Sequence, residues 1–209
     1  MKLYHFPISP NSRRVIAVLQ QLNLDCELVT LDLVKGEQMQ PAFIAMNPNH
    51  MIPTLEDNDF VLWESNAIMQ YLCSKVPDNQ LLPADSRLHA DVLRWQFWQT
   101  AHFGRACGML IFENILKQAL DMGEPEANEI AKGEESFHRF AQVLETHLQD
   151  RHWLVSDHHT LADFSVGSFL DLAEKARYPI AEYANIQRWY QSIEQLPAWQ
   201  NSAPDKTAN

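Results

Sequence analysis

The sequence has few of the features that mark secreted, membrane-spanning or nucleic-acid-binding proteins. Only three of its 209 residues are cysteines, and Cys26, Cys73 and Cys107 form no Cys-x-x-Cys pair, which favours reduced thiols in a cytosol over disulfides. No hydrophobic run approaches the roughly eighteen apolar residues that a transmembrane helix needs. Residues 1–7 lack the apolar core of a secretion signal. We therefore expect a cytoplasmic protein whose cysteines are small buried hydrophobic residues.

Positive charge is also scarce. The chain has 16 lysines and arginines against 27 aspartates and glutamates, which gives a net charge of −11 at pH 7. Nucleic acids and anionic membrane surfaces repel such a protein, so we expect neither as a partner. Nine histidines raise the question of a metal, but His152, His158 and His159 match no ligand spacing on a helix face. We therefore predict no metal site.

The hydrophobic patterns divide the chain into an α/β part followed by a helical part. Residues 1–76 predict the order βαβαββα, with the second strand at residues 26–33 and a hairpin turn at Asp57-Asn58. Residues 77–86 contain two prolines and no periodicity, which is typical of a linker. Residues 87–209 show only helical patterns. The expected fold class is α+β for the first domain and all-α for the second.

A helix N-terminus is marked at Thr160-Leu161-Ala162-Asp163. The Thr160 side chain can cap the helix, and Asp163, three residues later, can accept a hydrogen bond from the Thr160 N–H. The residues that follow are apolar nearly all round, which is typical of a helix at the centre of a core. We interpret Asp163 as a residue that stabilises the fold and not as a catalyst.

Residues 47–55 and 63–68 form the stretch where we expect a binding site. Pro53 has no N–H and forces Ile52 into an extended conformation, which leaves the Ile52 main chain free to pair with an extended, peptide-like ligand. Glu64 and Ser65 begin a helix, and a helix N-terminus attracts a carboxylate. The Glu64 carboxylate in turn suits an ammonium group. A peptide-like ligand with an amino-acid end fits these features.

These residues resemble the glutathione site of the cytosolic glutathione S-transferase superfamily. The resemblance rests on Asn47-Pro48, residues 52–55 (IPTL), residues 64–68 (ESNAI) and Tyr71-Leu72. Residues 9–15 (SPNSRRV) resemble a segment of the serine-type members of this superfamily, and the likeness is to theta/phi-like members of the kind found in bacteria. The resemblance implies a thioredoxin-like first domain, a homodimer, a role in detoxification, and glutathione as a cosubstrate whose thiolate attacks a small hydrophobic electrophile.

The chemistry requires a group that stabilises the thiolate. A free thiol has a pKa of about 8.5, and only its anion is a good nucleophile. A hydroxyl that donates a hydrogen bond to the sulfur favours the anion. The resemblance places that hydroxyl at Ser9, between the first strand and the first helix. Ser12 remains an alternative, although a helix N-cap is the more common role there, and we expect Tyr4 to serve packing.

The resemblance also implies which residues hold glutathione. The Ile52 main chain pairs with the cysteinyl part beside a cis Pro53, while Glu64 and Ser65 take the γ-glutamyl ammonium and carboxylate. Gln38 and Met51 lie near the glycyl end.

Relatives usually carry a basic residue in the loop near Gln38. At the positions of His50-Met51 they commonly carry a glycine followed by a lysine, arginine or glutamine. Loss of one charged hydrogen bond costs about 1.5–3 kcal/mol. Weak glutathione binding or a modified thiol cosubstrate is therefore an alternative, and a protonated His50 is a possible compensation.

The second substrate has weaker signals. We predict an electrophile pocket from the residues Ile8, Trp98, Phe103, Arg105 and Ala106. Two other functions stay open at this point. One is a transferase-like binding or regulatory protein with little or no turnover, which the neutral Gln38 and Met51 favour. The other is a glutathione-dependent peroxidase, isomerase or dehalogenase on the same fold.

Overall fold

The computed structural model describes residues 1–204, which form two compact units. The first contains Met1–Asn79 and residues 195–204, and the second is Gln80–Glu194. The sequence predicts a second domain at residues 87–209. The chain returns to the first unit because the short helix Pro197–Asn201 packs on the first helix. Residues 205–209 of the predicted second domain lie outside the described residues.

The first unit is built on a four-stranded mixed sheet. Its strands are β1 (Lys2–His5), β2 (Glu27–Thr30), β3 (Thr54–Asp57) and β4 (Phe60–Trp63). Its helices are α1 (Pro10–Gln21), α2 (Pro41–Met46) and α3 (Ser65–Ser74), with a 3-10 turn at Glu37–Met39. The strand order is β2-β1-β3-β4, with β1 parallel to β2 and the other pairs antiparallel. The predicted order βαβαββα is thus observed.

The second strand is shorter than predicted. It ends at Thr30 because the Asp32 carboxylate accepts hydrogen bonds from the N–H groups of Val34 and Lys35, at 3.1 and 3.0 Å, and turns the chain. Cys26, which precedes this edge strand, is partly exposed, so the prediction of burial is wrong for it. Cys73 is buried as predicted, and burial raises its pKa to about 12.

The hairpin turn lies one residue later than predicted, at Asn58-Asp59. Asp57 stays in β3, where its carboxylate accepts a hydrogen bond from the Tyr71 hydroxyl at 2.7 Å and pairs with Lys75 at 2.6 Å. Asn58 takes a positive φ of 58°, which the second position of such a turn tolerates in asparagine. The contacts of Asp57 with Tyr71 on α3 and with Lys75 just after α3 therefore determine the position of the turn.

Among the described residues, the regular secondary structure of the second unit consists of helices alone. It contains α4 (Ser86–Trp98), α5 (Gly104–Ile111), α6 (Lys117–Ala119), α7 (Ala127–His147), α8 (Leu161–Gly167) and α9 (Ala184–Glu194), and the short α10 (Pro197–Asn201) already mentioned follows in the first unit. Helices α4 to α6 form one long helix interrupted by π-helical turns at Gln99–Phe103 and Phe112–Leu116. At the first of these, a Cβ on Gly104 would lie 2.8 Å from the Gln99 carbonyl oxygen, so only glycine fits.

The predicted capping box at the start of α8 is confirmed. The Thr160 hydroxyl accepts a hydrogen bond from Ala162 N, and the Asp163 carboxylate accepts one from Thr160 N at 2.8 Å. The other Asp163 oxygen accepts from Leu154 N at 3.0 Å and from Trp189 Nε1 at 2.9 Å. Asp163 is fully buried, and burial raises its pKa against the effect of these hydrogen bonds. The carboxylate therefore joins three segments of the helical core.

Candidate active site

Ser9 is the N-cap of α1. Its backbone is extended, Pro10 occupies the first helical position, and the Ser9 Oγ accepts a hydrogen bond from Ser12 N at 3.3 Å. A capping hydroxyl uses a lone pair and keeps its own proton. Ser9 is partly exposed. Its O–H is therefore able to donate to a ligand at the positive end of the α1 dipole.

Ser12 is in a different environment. It is fully buried, and its Oγ accepts a hydrogen bond from Phe6 N at 3.3 Å. The expectation that Ser12 is the N-cap is wrong, because Ser9 takes that position and the helix begins at Pro10. A hydroxyl without exposed surface is a poor candidate for contact with a ligand thiol.

Tyr4, the third residue whose hydroxyl could activate a thiol, is hydrogen-bonded within the sheet. Its O–H donates to the Glu56 carboxylate at 3.0 Å, and its ring contacts Phe43 edge-on with 6.0 Å between centroids. Burial, followed by the hydrogen bond to Glu56, raises the pKa of Tyr4. These contacts agree with a packing role.

The loop before β3 is organised by the buried side chain of Asn47. Its Nδ2 donates to the Met51 carbonyl at 2.7 Å and to Thr54 Oγ1 at 3.1 Å, while its Oδ1 accepts from Asn49 N at 3.0 Å. The Ile52-Pro53 peptide bond is cis. Asn47 thus holds both ends of the segment that presents Ile52.

The β3–β4 ladder ends close in sequence to both that segment and α3. Its last pair is Thr54 with Trp63, two residues after Ile52 on one strand and two residues before Ser65 on the other. Ile52 lies outside β3 and takes part in none of the backbone hydrogen bonds found among residues 1–204. Its main chain is therefore open to pairing with an extended ligand.

Arg14 joins α1 to α3 at this point. Its guanidinium is buried and donates to Ser65 Oγ from Nε at 3.0 Å and from Nη2 at 2.6 Å, and it also contacts Asn11 Oδ1. Burial lowers the pKa of Arg14 to about 9, partly opposed by the Glu64 carboxylate. The side chain is thus still a cation at neutral pH. With two donors directed at its oxygen, Ser65 keeps its hydroxyl proton for another acceptor.

Glu64 is held in a conformation that few side chains adopt. Its φ is 70° and its ψ is 106°, it is exposed, and it immediately precedes α3. A non-glycine residue in this region costs about 1–3 kcal/mol, and such residues cluster at binding sites. An exposed carboxylate therefore lies next to a helix N-terminus. The Glu64 carboxylate can bind an ammonium group, and the helix N-terminus beside it can bind a carboxylate.

Gln38 and Met51 flank the site along the chain. Gln38 lies in the 3-10 turn before α2, where its Nε2 donates to the Leu33 carbonyl at 3.3 Å. Met51 follows α2 in the Asn47 loop, and 68% of its surface is exposed. Gln38 and Met51 thus lie in the two segments that the short helix α2 connects.

The residues predicted for the electrophile pocket have diverse environments. Ile8 is exposed, next to Ser9, and Arg105 is exposed on α5. Trp98 stacks on Phe103 with 5.5 Å between ring centroids. Phe103 and Ala106 are buried in the helical core, with 0% and 2% of their surface exposed. Phe103 and Ala106 stay predictions for the site, although they lack the exposed surface of Ile8 and Arg105.

Sequence reasoning missed the roles of Arg14 and Asn47. Arg14 belongs to the segment that resembled the family, and Asn47 begins the Asn-Pro pair, but no local pattern shows which distant residue either one contacts. Within residues 1–204 no group of three or more His, Cys, Asp or Glu side chains could hold a metal ion. In the same residues no helix is both long and apolar enough to cross a membrane.

Models of known families match both parts of the chain. The family described as glutathione S-transferase, N-terminal domain, matches residues 3–80, and glutathione S-transferase, C-terminal domain, matches residues 89–197. Curated relatives agree. The chain is 36% identical to glutathione S-transferase 3 of Zea mays, over 97% of this chain and 92% of that protein. It is 32% identical to a glutathione S-transferase of Hyoscyamus muticus, over 95% of each.

Solved structures show the same architecture. Glutathione S-transferase III in its apo form has a TM-score of 0.84 at 36% identity, over 96% of this chain and 94% of that one. A glutathione S-transferase from Pseudomonas fluorescens has a TM-score of 0.84 at 30% identity, over 94% and 96%. Glutathione transferase F7 from Populus trichocarpa has a TM-score of 0.87 at 29% identity, over 96% of each.

Proposed function

Because this chain belongs to the glutathione S-transferase family and is a transferase with glutathione as its cosubstrate, we propose a role for each residue of its site. Ser9 is the catalytic hydroxyl of a serine-type, theta/phi-like member. The observation that carries this proposal is the Ser9 cap, in which the oxygen accepts from Ser12 N and leaves the O–H free. That proton stabilises the glutathione thiolate, and the α1 dipole adds to the effect.

The proposed reaction is nucleophilic attack of this thiolate on a small apolar electrophile. With an activated aryl chloride, the sulfur forms a carbon–sulfur bond, the carbon–chlorine bond breaks, and chloride leaves with its electron pair. The thiol proton passes to solvent before the attack. Ile8 is exposed beside Ser9 and offers an apolar contact for the electrophile. Trp98, Phe103, Arg105 and Ala106 stay predictions for electrophile binding.

We propose that glutathione lies extended along Ile52. Its cysteinyl part pairs with the Ile52 main chain next to Pro53, and its γ-glutamyl carboxylate accepts hydrogen bonds from the Ser65 hydroxyl and the N-terminus of α3. Glu64 takes the ammonium group. Gln38 and Met51 stand near the glycyl end. The hydrogen bonds from Arg14 to Ser65 Oγ support this orientation, because they leave the Ser65 hydroxyl proton for a ligand carboxylate.

Ser65→Ala tests this orientation. The variant loses the hydroxyl donor and leaves the buried Arg14 guanidinium without its Ser65 acceptor, so we expect the Kd for glutathione to rise about tenfold or more. Calorimetric titration measures the Kd. Ser74→Ala, an exposed serine at the other end of α3, is the matched control and should bind as the wild type does. Equal affinity in all three proteins would contradict the proposed orientation.

Turnover separates this function from the alternatives. A regulatory protein would bind glutathione without conjugating an activated aryl chloride, and a peroxidase or isomerase would act only on its own substrate class. The uncharged Gln38 and Met51 are the feature that favours a weakly binding, non-catalytic protein. The free O–H of Ser9 favours the enzyme. We propose a cytoplasmic enzyme of detoxification.

We also propose a homodimer. Large apolar side chains are exposed on β4 and α4, where Phe60, Trp63 and Phe97 have 44%, 40% and 70% of their surface exposed. Aromatic residues are enriched at protein–protein contacts. Light scattering should give twice the chain mass of 24.1 kDa, and Phe97→Asp should shift the protein towards the monomer. Val143→Asp, an exposed apolar position on α7, is the control, and a monomeric wild type would refute the proposal.

A further inference from the structure

A cleft in the second unit is lined by none of the residues proposed for glutathione or the electrophile. Its volume is about 360 Å³, and pockets for small ligands measure roughly 300–1,000 Å³. It lies among the last turns of the long helix (residues 114–118), the turn at residues 121–125, and Arg177. The cleft therefore has room for a second, small molecule.

Side-chain contacts join these three segments to one another. The buried Lys117 ammonium pairs with Glu113 at 2.9 Å and with Glu126, just after the turn, at 2.7 Å. The Glu113 carboxylate also accepts a hydrogen bond from Glu126 N at 2.7 Å. Asn114 Nδ2 donates to the Ala176 carbonyl at 3.1 Å. The walls of the cleft are therefore preorganised, which reduces the free-energy cost of ordering them around a ligand.

Opposite charges line the cleft without forming an ion pair. Within residues 1–204 the Arg177 guanidinium makes no hydrogen bond or ion pair, and the same holds for the Asp121 and Glu124 carboxylates. Lys117, the other cation of the cleft, already has two acidic partners, so Arg177 is the cation left for a ligand. A molecule that carries both an ammonium and a carboxylate can bridge these side chains, because each of its charges then meets an opposite charge.

The neutral walls of the cleft are polar. Asn114 uses its Nδ2 for the Ala176 carbonyl, so its Oδ1 remains an acceptor. The exposed Gln118 amide makes no hydrogen bond within residues 1–204. Gly123 and Pro125 complete the described lining, which has no large apolar side chain. Such a surface suits a polar molecule and offers little contact to an apolar electrophile.

We propose that this cleft binds a molecule with an α-amino acid group. The carboxylate of that group pairs with Arg177, and its ammonium lies between Asp121 and Glu124. The polar remainder of the molecule forms hydrogen bonds with the amides of Asn114 and Gln118. Two kinds of molecule carry this group, a free polar amino acid and glutathione at its γ-glutamyl end. The inference is independent of the proposed function, because the active-site residues take no part in it.

Calorimetric titration of three ligands into the wild type tests the two charges. L-Glutamine should bind with a Kd of about 1 mM or lower. N-acetyl-L-glutamine has no ammonium and L-glutaminamide has no carboxylate, so each should bind about tenfold more weakly through loss of a charged hydrogen bond. Equal affinity for the three ligands would overturn the proposal, as would failure of L-glutamine to bind.

Variants of the charged residues locate the binding. Arg177→Ala should raise the Kd for L-glutamine about tenfold and leave the Kd for L-glutaminamide unchanged. Arg151→Ala, an exposed arginine of the same unit outside the cleft, is the control and should change neither. The double variant Asp121→Asn, Glu124→Gln should weaken L-glutamine by a similar factor and spare N-acetyl-L-glutamine. Unchanged affinity of Arg177→Ala for L-glutamine would overturn the assignment of the cleft.

Titration of glutathione distinguishes the two sources of the group. If the cleft takes the γ-glutamyl end, the wild type should bind two glutathione molecules per chain and Arg177→Ala only one. If it takes free amino acids, both proteins should bind one, and saturating glutathione should leave the Kd for L-glutamine unchanged. Ser65→Ala should weaken only the glutathione of the active site, so failure of the proposed orientation and failure of this cleft give different results.

Discussion

Replacement of Ser9 by alanine should lower kcat/KM for glutathione and an activated aryl chloride about a hundredfold at neutral pH. The variant removes a hydrogen-bond donor aimed at the reacting anion, and loss of such a donor in other enzymes costs roughly 10²–10³ in rate. The pKa of the bound thiol should rise towards the value of about 8.5 for a free thiol. Stopped-flow kinetics and the ultraviolet absorbance of the thiolate, both followed against pH, measure these changes.

Two further variants separate activation from helix capping. Ser9→Ala also removes the cap on Ser12 N, which costs about 1 kcal/mol of stability, so its unfolding must be measured in parallel. Ser9→Thr restores both the cap and the hydroxyl and should recover most of the rate. Ser12→Ala removes the acceptor for Phe6 N and should affect stability more than kcat. A thiolate lost in Ser12→Ala but retained in Ser9→Ala would assign catalysis to Ser12.

Replacement of Asp163 by alanine should reduce the free energy of unfolding by roughly 3–5 kcal/mol. The change leaves the N–H groups of Thr160, Leu154 and Trp189 buried without an acceptor, and each such group costs about 1–3 kcal/mol. The thermal midpoint should fall by roughly 10 °C. Denaturant titration followed by circular dichroism gives the free energy.

Asp163→Asn keeps one oxygen and the shape of the side chain, so it should lose less stability than the alanine variant and provides a measurable protein if that variant does not fold. Asp150→Ala removes an exposed carboxylate and serves as the control. If Asp163→Ala were as stable as Asp150→Ala, the buried network would contribute nothing. Since Asp163 belongs to the helical core, glutathione affinity in Asp163→Asn should stay near the wild-type value.

Patterns within a few residues predicted much of this molecule. The capping box at Thr160 and Asp163 was visible because both partners lie within one turn, and the βαβαββα order followed from hydrophobic periodicity. Ser9 could be proposed because it lies between the first strand and helix. The family resemblance already favoured Ser9 over Ser12. The coordinates add that Ser12 is fully buried and that its Oγ accepts a hydrogen bond from Phe6 N.

Contacts between distant residues were beyond prediction. Nothing near Arg14 indicates that it binds Ser65, 51 residues away, and nothing near Asn47 shows that its side chain holds Met51 and Thr54. The turn moved from Asp57-Asn58 to Asn58-Asp59 because Tyr71 and Lys75 retain Asp57. In each case a tertiary contact decided between local structures that the sequence alone allowed.

The return of the chain to the first unit affects the order in which the protein is completed during synthesis. Trp199 is fully buried, and the Arg13 guanidinium carbon lies 4.2 Å from the centroid of the Trp199 ring. The Trp199 carbonyl also accepts a hydrogen bond from Arg13. A ribosome releases α1 long before it makes Trp199. Domains generally fold from the N-terminus as they emerge. In this protein the unit that carries Ser9 emerges first. One face of its helix α1 stays uncovered until the helical unit and then α10 have been translated.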